Sequence, residues 1–410
     1  MLLWRWWTVL GAWLLRRARW VLAGSLAVHL LVTALATDMF DLRVYWLAAP
    51  RLLDGHLYDV TLVRPDPGSL PLPFTYPPFA AVALLPTAVL PWPAATWAWH
   101  AASLASLAVL VHCSLRLCPG RSGPVGPEHT MVWTAAALWL EPVRHCLDLG
   151  QIDLLLAAVV LAGLTTRRAA AGGLGVGLSA GVKLTPAVVG VYFLVARRWQ
   201  AAGWTVAVFA ATVGLTWLVD ARDSRRYWLQ LVGQSDRVGP VAAWENESLG
   251  GVLSRFAGHG MVLTPTWLGL ALAALLGTAL ALRASLRRGD TLAAVVAVQL
   301  LGLLVCPISW SHHWVWAVPA LICLGYGGGP PRRAALAAIV AWGLAAGAWL
   351  VPLAGELADG TGPSGYLFLL SASYPVCAAL TLVALARRAG GPDRRQGRGL
   401  AASPGGEPQG

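Results

Sequence analysis

Residues 153–198 read DLLLAAVVLAGLTTRRAAAGGLGVGLSAGVKLTPAVVGVYFLVARR, and the fold turns on this stretch. An apolar run ends at the pair Arg167-Arg168, and a second apolar region ends at Arg197-Arg198. Arginine pairs beside apolar runs mark the cytoplasmic side of a membrane. The segment 169–197 therefore begins and ends on that side, which predicts a helical hairpin bent near Lys183-Leu184-Thr185-Pro186, where proline breaks a helix. Gly173, Gly177 and Gly181 recur every fourth residue, the spacing of close helix packing in lipid. No strand precedes them, so a nucleotide-binding glycine loop is the poorer reading.

Working outward, apolar runs fall at 20–37, 94–115, 131–147, 151–166, 184–196, 201–219, 262–282, 290–306, 313–328, 334–352 and 365–386. A membrane crossing takes about twenty apolar residues. With 57% hydrophobic and 12% charged residues in 410, the chain predicts an all-α, polytopic helical membrane protein. About 11–13 membrane segments are expected, several of them short and re-entrant or interfacial. The net charge of +11 does not indicate nucleic acid, because its arginines stand as doublets between apolar runs. Six cysteines without a CxxC pair read as small interior residues.

Arg116 with Arg121, Arg283 with Arg287 and Arg288, Arg332-Arg333 and Arg387-Arg388 all fall where alternation places the same side as the N-terminus. Arg16, Arg17 and Arg19 hold that N-terminus in the cytoplasm, and an uncleaved first span is preferred to a signal peptide cut after Ala34-Leu35-Ala36. The expected organisation is a cytoplasmic or interfacial segment 1–19, a membrane domain 20–386 with outer loops at about 38–93 and 220–261, and a disordered cytoplasmic tail 387–410. The N- and C-termini are expected to be cytoplasmic or near that side, with the polar residues gathered on the opposite, extracytoplasmic side.

Several of those residues can carry chemistry. Asp38 and Asp41 follow the first span, where a carboxylate either marks the water boundary or serves as a general base at the membrane surface. Lys183 sits at the hairpin bend, and a cation at membrane depth needs a partner or a cavity. Either it pairs with Asp148 or Asp153, or it binds phosphate. In Ser309-Trp310-Ser311-His312-His313-Trp314, adjacent histidines make poor joint metal ligands, so no metal is expected. One histidine bonding a sugar or phosphate suits them better, with Trp310 and Trp314 stacking on a sugar face. Asn246-Glu247-Ser248 matches a glycosylation sequon, a weak three-residue signal, and Arg255 behind it offers a fork of donors for phosphate. Tyr76-Pro77-Pro78-Phe79 opens an apolar stretch too short to cross, expected to lie in the interface.

Six pieces occur in order: Asp41-Leu42-Arg43-Val44-Tyr45-Trp46 with Leu53-Asp54-Gly55-His56-Leu57-Tyr58, Phe74-Thr75-Tyr76-Pro77-Pro78-Phe79, Gly150-Gln151-Ile152-Asp153, Lys183-Leu184-Thr185-Pro186, Asn246 to Arg255, and Pro307 to Trp314. Together they resemble the actinobacterial polyprenol-phosphate-mannose-dependent alpha-1,2-mannosyltransferases, glycosyltransferase family 87 of the multi-spanning GT-C class. The family pattern often has Asn where Asp153 stands and Gln where Glu247 stands. The resemblance implies a polyprenyl phosphate mannose donor, a glycolipid or lipoglycan acceptor of the cell envelope, and reaction on the outer face without cofactor or metal. It makes Asp41 the general base of an inverting transfer, with Asp38 in reserve. Lys183, Arg255, His312 and His313 are then the cationic groups for the donor phosphate, and Tyr76 and Trp310 line the donor. Transfer of another polyprenyl-linked sugar such as arabinofuranose, and a lipid-linked sugar flippase or transporter, are the rival expectations.

Overall fold

A computed structural model of the chain describes residues 11–36, 38–63, 71–119, 125–166, 168–257, 264–326, 333–345 and 372–388. Expectations for 1–10, for the end of the run 334–352, for the start of the run 365–386 and for most of the tail lie outside these residues. The fold is all-α. In chain order the helices are α1 (Ala18–Ala36), α2 (Phe40–Ala48), α3 (Pro78–Ala88), α4 (Trp92–Leu117), α5 (Pro127–Ala137), α6 (Glu141–Leu149), α7 (Asp153–Thr165), α8 (Ala169–Val182), α9 (Val189–Val195) and α10 (Trp199–Val219). They continue with α11 (Ala221–Arg226), α12 (Leu249–Ala257), α13 (Pro265–Arg287), α14 (Thr291–Val305), α15 (Ala317–Tyr326), α16 (Arg333–Ala345) and α17 (Ser373–Ala386). Among the described residues the strand content is a ribbon, β1 (Thr61–Leu62) antiparallel to β2 (Leu72–Pro73).

Among the described residues three helices, α4, α10 and α13, are individually long and apolar enough to cross a bilayer. α6 and α7 are together apolar and long enough to count as a broken span or a re-entrant loop, with a bend of 117° between them. The expected single run 131–147 is instead split between α5 and α6, with Pro142 in the first turn of α6, where a proline is tolerated. Gly150 closes α6 in the left-handed conformation at φ 70°, and a side chain there would strike Leu42. The tight turn thus seats the α6–α7 bend directly against α2.

The hairpin expected at 169–197 is present. α8 ends at Lys183, whose backbone is extended, and a 3-10 turn at Thr185–Val188 leads into α9. Gly172, near the start of α8, lies against Phe193, near the end of α9, so the chain has doubled back. The glycine spacing has the expected cause. A Cβ on Gly173, Gly177 or Gly181 would fall within 2.3–2.8 Å of atoms of α10, including the Ala201 and Thr205 carbonyls. Gly175 meets the Val159 carbonyl of α7 just as closely, so α8 is approached on two faces, by backbone carbonyls and by the Trp204, Val208 and Thr212 side chains of α10.

Two apolar clusters result. The larger joins α4, α7, α14, α15 and α17, and holds Trp314. The smaller gathers Met39, Leu42, Tyr45, Leu57, Tyr58, Phe74 and Ile152 beneath the loops that follow α1. Those loops are bound to the segment after α10. Leu57 donates its amide to Asp223 Oδ2 at 2.7 Å, Tyr58 stacks on Tyr227, and Arg226 pairs with Asp59.

Candidate active site

Four elements converge between the two clusters: α2, the α6–α7 bend, the Lys183 break, and the turn Ser311–Trp316. Asp41 lies in the first turn of α2 and is half-buried. Gln151, in the bend, donates from Nε2 to Asp41 Oδ2 at 2.8 Å. The other end of that amide accepts from Tyr45 and Tyr76 at 2.9 and 3.0 Å, and the two phenols are 2.9 Å apart. Burial raises the Asp41 carboxyl to about 6, against the opposing pull of the Gln151 hydrogen bond and of His145 and Lys183. The group can therefore change protonation near neutral pH, as a general base requires. Asp38 is exposed at the surface.

Lys183 resolves one of the alternatives left open by sequence. Its ammonium donates to both oxygens of Asp153 at 2.9 and 2.8 Å, and both residues are buried. Asp148 pairs instead with Arg144 at 3.5 Å. The ammonium also stands over the Tyr76 ring, 5.4 Å from its centroid. It thereby joins the ion pair to the network around Asp41.

The turn Ser311–Trp316 adds a wall of histidines. His312 and His313 lie edge to face, 4.7 Å between centroids, and His312 meets His145 of α6 at 5.3 Å. Neither ring nitrogen of His312 has a partner, and both histidines are buried. Asp153, His312 and His313 each present an atom within 4.8 Å of the others. That grouping could accept a metal ion, but its carboxylate is already bound on both oxygens by Lys183, which supplies the cation.

The loop containing Asn246 is joined to this turn. Asn246 bridges in antiparallel fashion to Trp310, Glu247 donates its amide to Ser309, and Ser311 donates to Glu245. The Asn246 amide is fully buried, donating to Val241 and Pro307 and accepting from Ser248 and Ser309. The sequon is thus part of the fold rather than an exposed acceptor. Arg255 donates to the carbonyls of Ala243 and Asn246 and clamps the same loop. Burial pushes the Glu247 carboxyl well above the usual range, opposed by Arg255.

The structure brings Asp41, Tyr76, Lys183, His312 and His313 into one region, and leaves Trp310 half-exposed beside Gly239. It corrects the expectation for Trp314. That ring is wholly buried and stacks on Tyr374, 5.5 Å between centroids and 18° between planes, so it cannot meet a sugar. Sequence reasoning passed over Gln151 as the partner of Asp41 and Tyr45 as a partner of Gln151, and over Glu141 and His145. Two pairs did carry a signal: Asp41 and Tyr45, and Glu141 and His145, stand four apart on helices and share a face.

The family model described as Glycosyltransferase family 87 matches residues 74–309. A polyprenol-phosphate-mannose-dependent alpha-(1-2)-phosphatidylinositol pentamannoside mannosyltransferase of Mycolicibacterium smegmatis is 39% identical over 394 residues, 93% of this chain and 94% of that protein. Its namesake from Mycobacterium tuberculosis is 42% identical over 344 residues, 82% of this chain and 77% of that protein. A polyprenol-phosphate-mannose-dependent alpha-(1-2)-phosphatidylinositol mannoside mannosyltransferase of Mycobacterium tuberculosis is 36% identical over 321 residues, 75% of each chain. No solved structure matches. On the extent of the family match and the identity to these relatives, the chain is a membrane glycosyltransferase that belongs to glycosyltransferase family 87.

Proposed function

We propose that this enzyme transfers mannose from polyprenyl phosphate mannose to a hydroxyl of a phosphatidylinositol mannoside, forming an alpha-1,2 linkage on the extracytoplasmic face. The relatives' names supply the donor and acceptor classes and favour mannose over arabinofuranose. Membership of a glycosyltransferase family favours transfer over flipping. The outer side is favoured because the arginine sets lie at the opposite ends of the apolar runs. In this reading residues 20–386 form one catalytic membrane domain.

One observation carries the mechanism: a half-buried carboxylate, Asp41, fixed by Gln151 beside a buried lysine and two buried histidines that keep unpartnered ring nitrogens. The acceptor oxygen attacks the anomeric carbon, its proton passes to Asp41, and the bond from that carbon to the phosphate oxygen breaks with inversion. Polyprenyl phosphate leaves as the anion. Lys183, His312 and His313 form the side toward which that charge develops. Tyr76 and the half-exposed Trp310 border the donor, and α3 after Pro77-Pro78 flanks its lipid. Arg255 acts in this scheme by holding the Asn246 loop.

The test is transfer from labelled polyprenyl phosphate mannose in membranes carrying matched amounts of wild type, Asp41→Asn or Asp38→Asn. Asp41→Asn is expected to lose about 10²–10⁴-fold, the usual worth of a general base, with Asp38→Asn near wild type. Because the base must be ionised, wild-type transfer should fall as pH drops through about 6 and level off above it. Full activity in Asp41→Asn would remove the assignment, and no transfer by wild type would remove the donor.

A further inference from the structure

α14 carries one side chain that its own composition does not explain. Its sequence, TLAAVVAVQLLGLLV, is apolar or glycine throughout after Thr291, apart from Gln299. Gln299 is 3% exposed, and its Nε2 has no hydrogen-bond partner among the described residues. A buried amide without a partner is costly, and a leucine in its place would fill the same interior without that cost. His313, on the turn Ser311–Trp316, carries the same signature: the residue is buried and its Nδ1 is unpartnered.

Gln299 and His313 border one small cavity of about 10 Å³, shared with Asp153 at the start of α7 and Thr185 in the hairpin break, and otherwise walled by apolar side chains. That is about the room one water needs, and a bound water takes about two to four polar partners. Asp153 and His313 each present an atom within 4.8 Å of the other, a gap that a bridging water closes. Donors and acceptors can then be matched. Gln299 Nε2 only gives a hydrogen, so the water accepts there. The Asp153 carboxylate only accepts; Lys183 holds both of its oxygens, each of which keeps a further lone pair for one of the water's hydrogens. The Thr185 hydroxyl gives to the water, and the water's second hydrogen goes to His313 Nδ1. That nitrogen is then bare, and the neutral ring carries its single proton on Nε2.

We propose that Gln299 is a positioning residue for His313, acting through one water held in this cavity so that the imidazole keeps its proton on Nε2. The inference rests on the reading above, in which His313 lies on the side where the phosphate charge develops. A neutral ring with a hydrogen on Nε2 donates to that anion, whereas a bare nitrogen there repels it. Gln299 itself touches neither donor nor acceptor.

The experiment joins 15N spectroscopy of histidine-labelled, full-length protein in lipid bilayers to transfer kinetics. Ring nitrogens with and without a proton are resolved in such spectra, and the His313 signals are those lost in His313→Gln. Wild type should show His313 protonated at Nε2 and bare at Nδ1. In Gln299→Met, which keeps the length and removes the amide, both tautomers should appear. In transfer from polyprenyl phosphate mannose the same variant should lose about threefold to tenfold in kcat, the worth of one hydrogen bond, with KM and melting temperature near wild type. A proton on Nδ1 in wild type overturns the proposal, as does a spectrum unchanged in Gln299→Met, or a lowered melting temperature with kcat unchanged. If Gln299→Met does not accumulate, the wild-type spectrum decides alone. Wild type without mannosyl transfer would instead overturn the donor reading, and the spectrum, which needs no donor, keeps the two failures apart.

Discussion

Two buried polar regions lie side by side in this protein and differ in one respect. Around Asp41, each amide, phenol and charge has a partner from the chain itself: Gln151 to Asp41, Tyr45 and Tyr76 to Gln151, Lys183 to Asp153. Around the turn Ser311–Trp316, polar atoms are buried and unpartnered, among them both nitrogens of His312, Nδ1 of His313, the Ser309 hydroxyl and one oxygen of Glu247. A buried polar group without a partner costs about 1–3 kcal/mol. The first region is a finished structure that holds a base in position. The second keeps polar atoms to which the described residues of the chain supply no partner.

That contrast can be broken or sharpened by substitution. Lys183→Met should destabilise most, by about 3–5 kcal/mol, because it leaves Asp153 buried and unpaired. Combining it with Asp153→Leu should recover most of that loss in a thermal melt in detergent, without restoring transfer. A double variant no more stable than the single would show that the pair is not the determinant. Tyr45→Phe should cost less, about 1 kcal/mol, since it removes one hydroxyl from the Gln151 network. The smallest stability effect belongs to the other region. His312→Phe keeps the ring's packing and removes two unpartnered nitrogens, so the melting temperature should stay near wild type or rise. Its transfer rate should nonetheless fall by about tenfold or more, the worth of a hydrogen bond to a charged group. A large drop in stability with unchanged activity would reverse the comparison.

Local features of the chain were legible in its sequence. The hairpin break at Lys183 follows from arginine pairs and one proline, and the α8–α10 contact from glycines four apart, both readable within one short window. For Lys183 the sequence left open a pair with Asp148 or Asp153, or a phosphate. Only packing separates them, since Asp153 opens α7 beneath the break while Asp148 turns toward Arg144. The tie between Gln151 and Asp41 spans 110 positions and carries no local signal. Trp314 was misread for a related reason: an aromatic residue beside polar ones looks the same in sequence whether its ring meets a ligand or Tyr374. The division of 131–147 into α5 and α6 also escaped, although Pro142 marked it.

The buried Asn246 has a practical consequence for production of the protein. In a host that attaches glycans to Asn-X-Ser sequences, and with the loop on the outer face as proposed above, the amide is reachable only until the loop closes onto Pro307 and Ser309. Chains that close promptly never receive a sugar, and chains that linger open do. A band of reduced mobility that collapses on deglycosylation would thus count misfolded molecules directly, giving each variant above a built-in quality control independent of its activity.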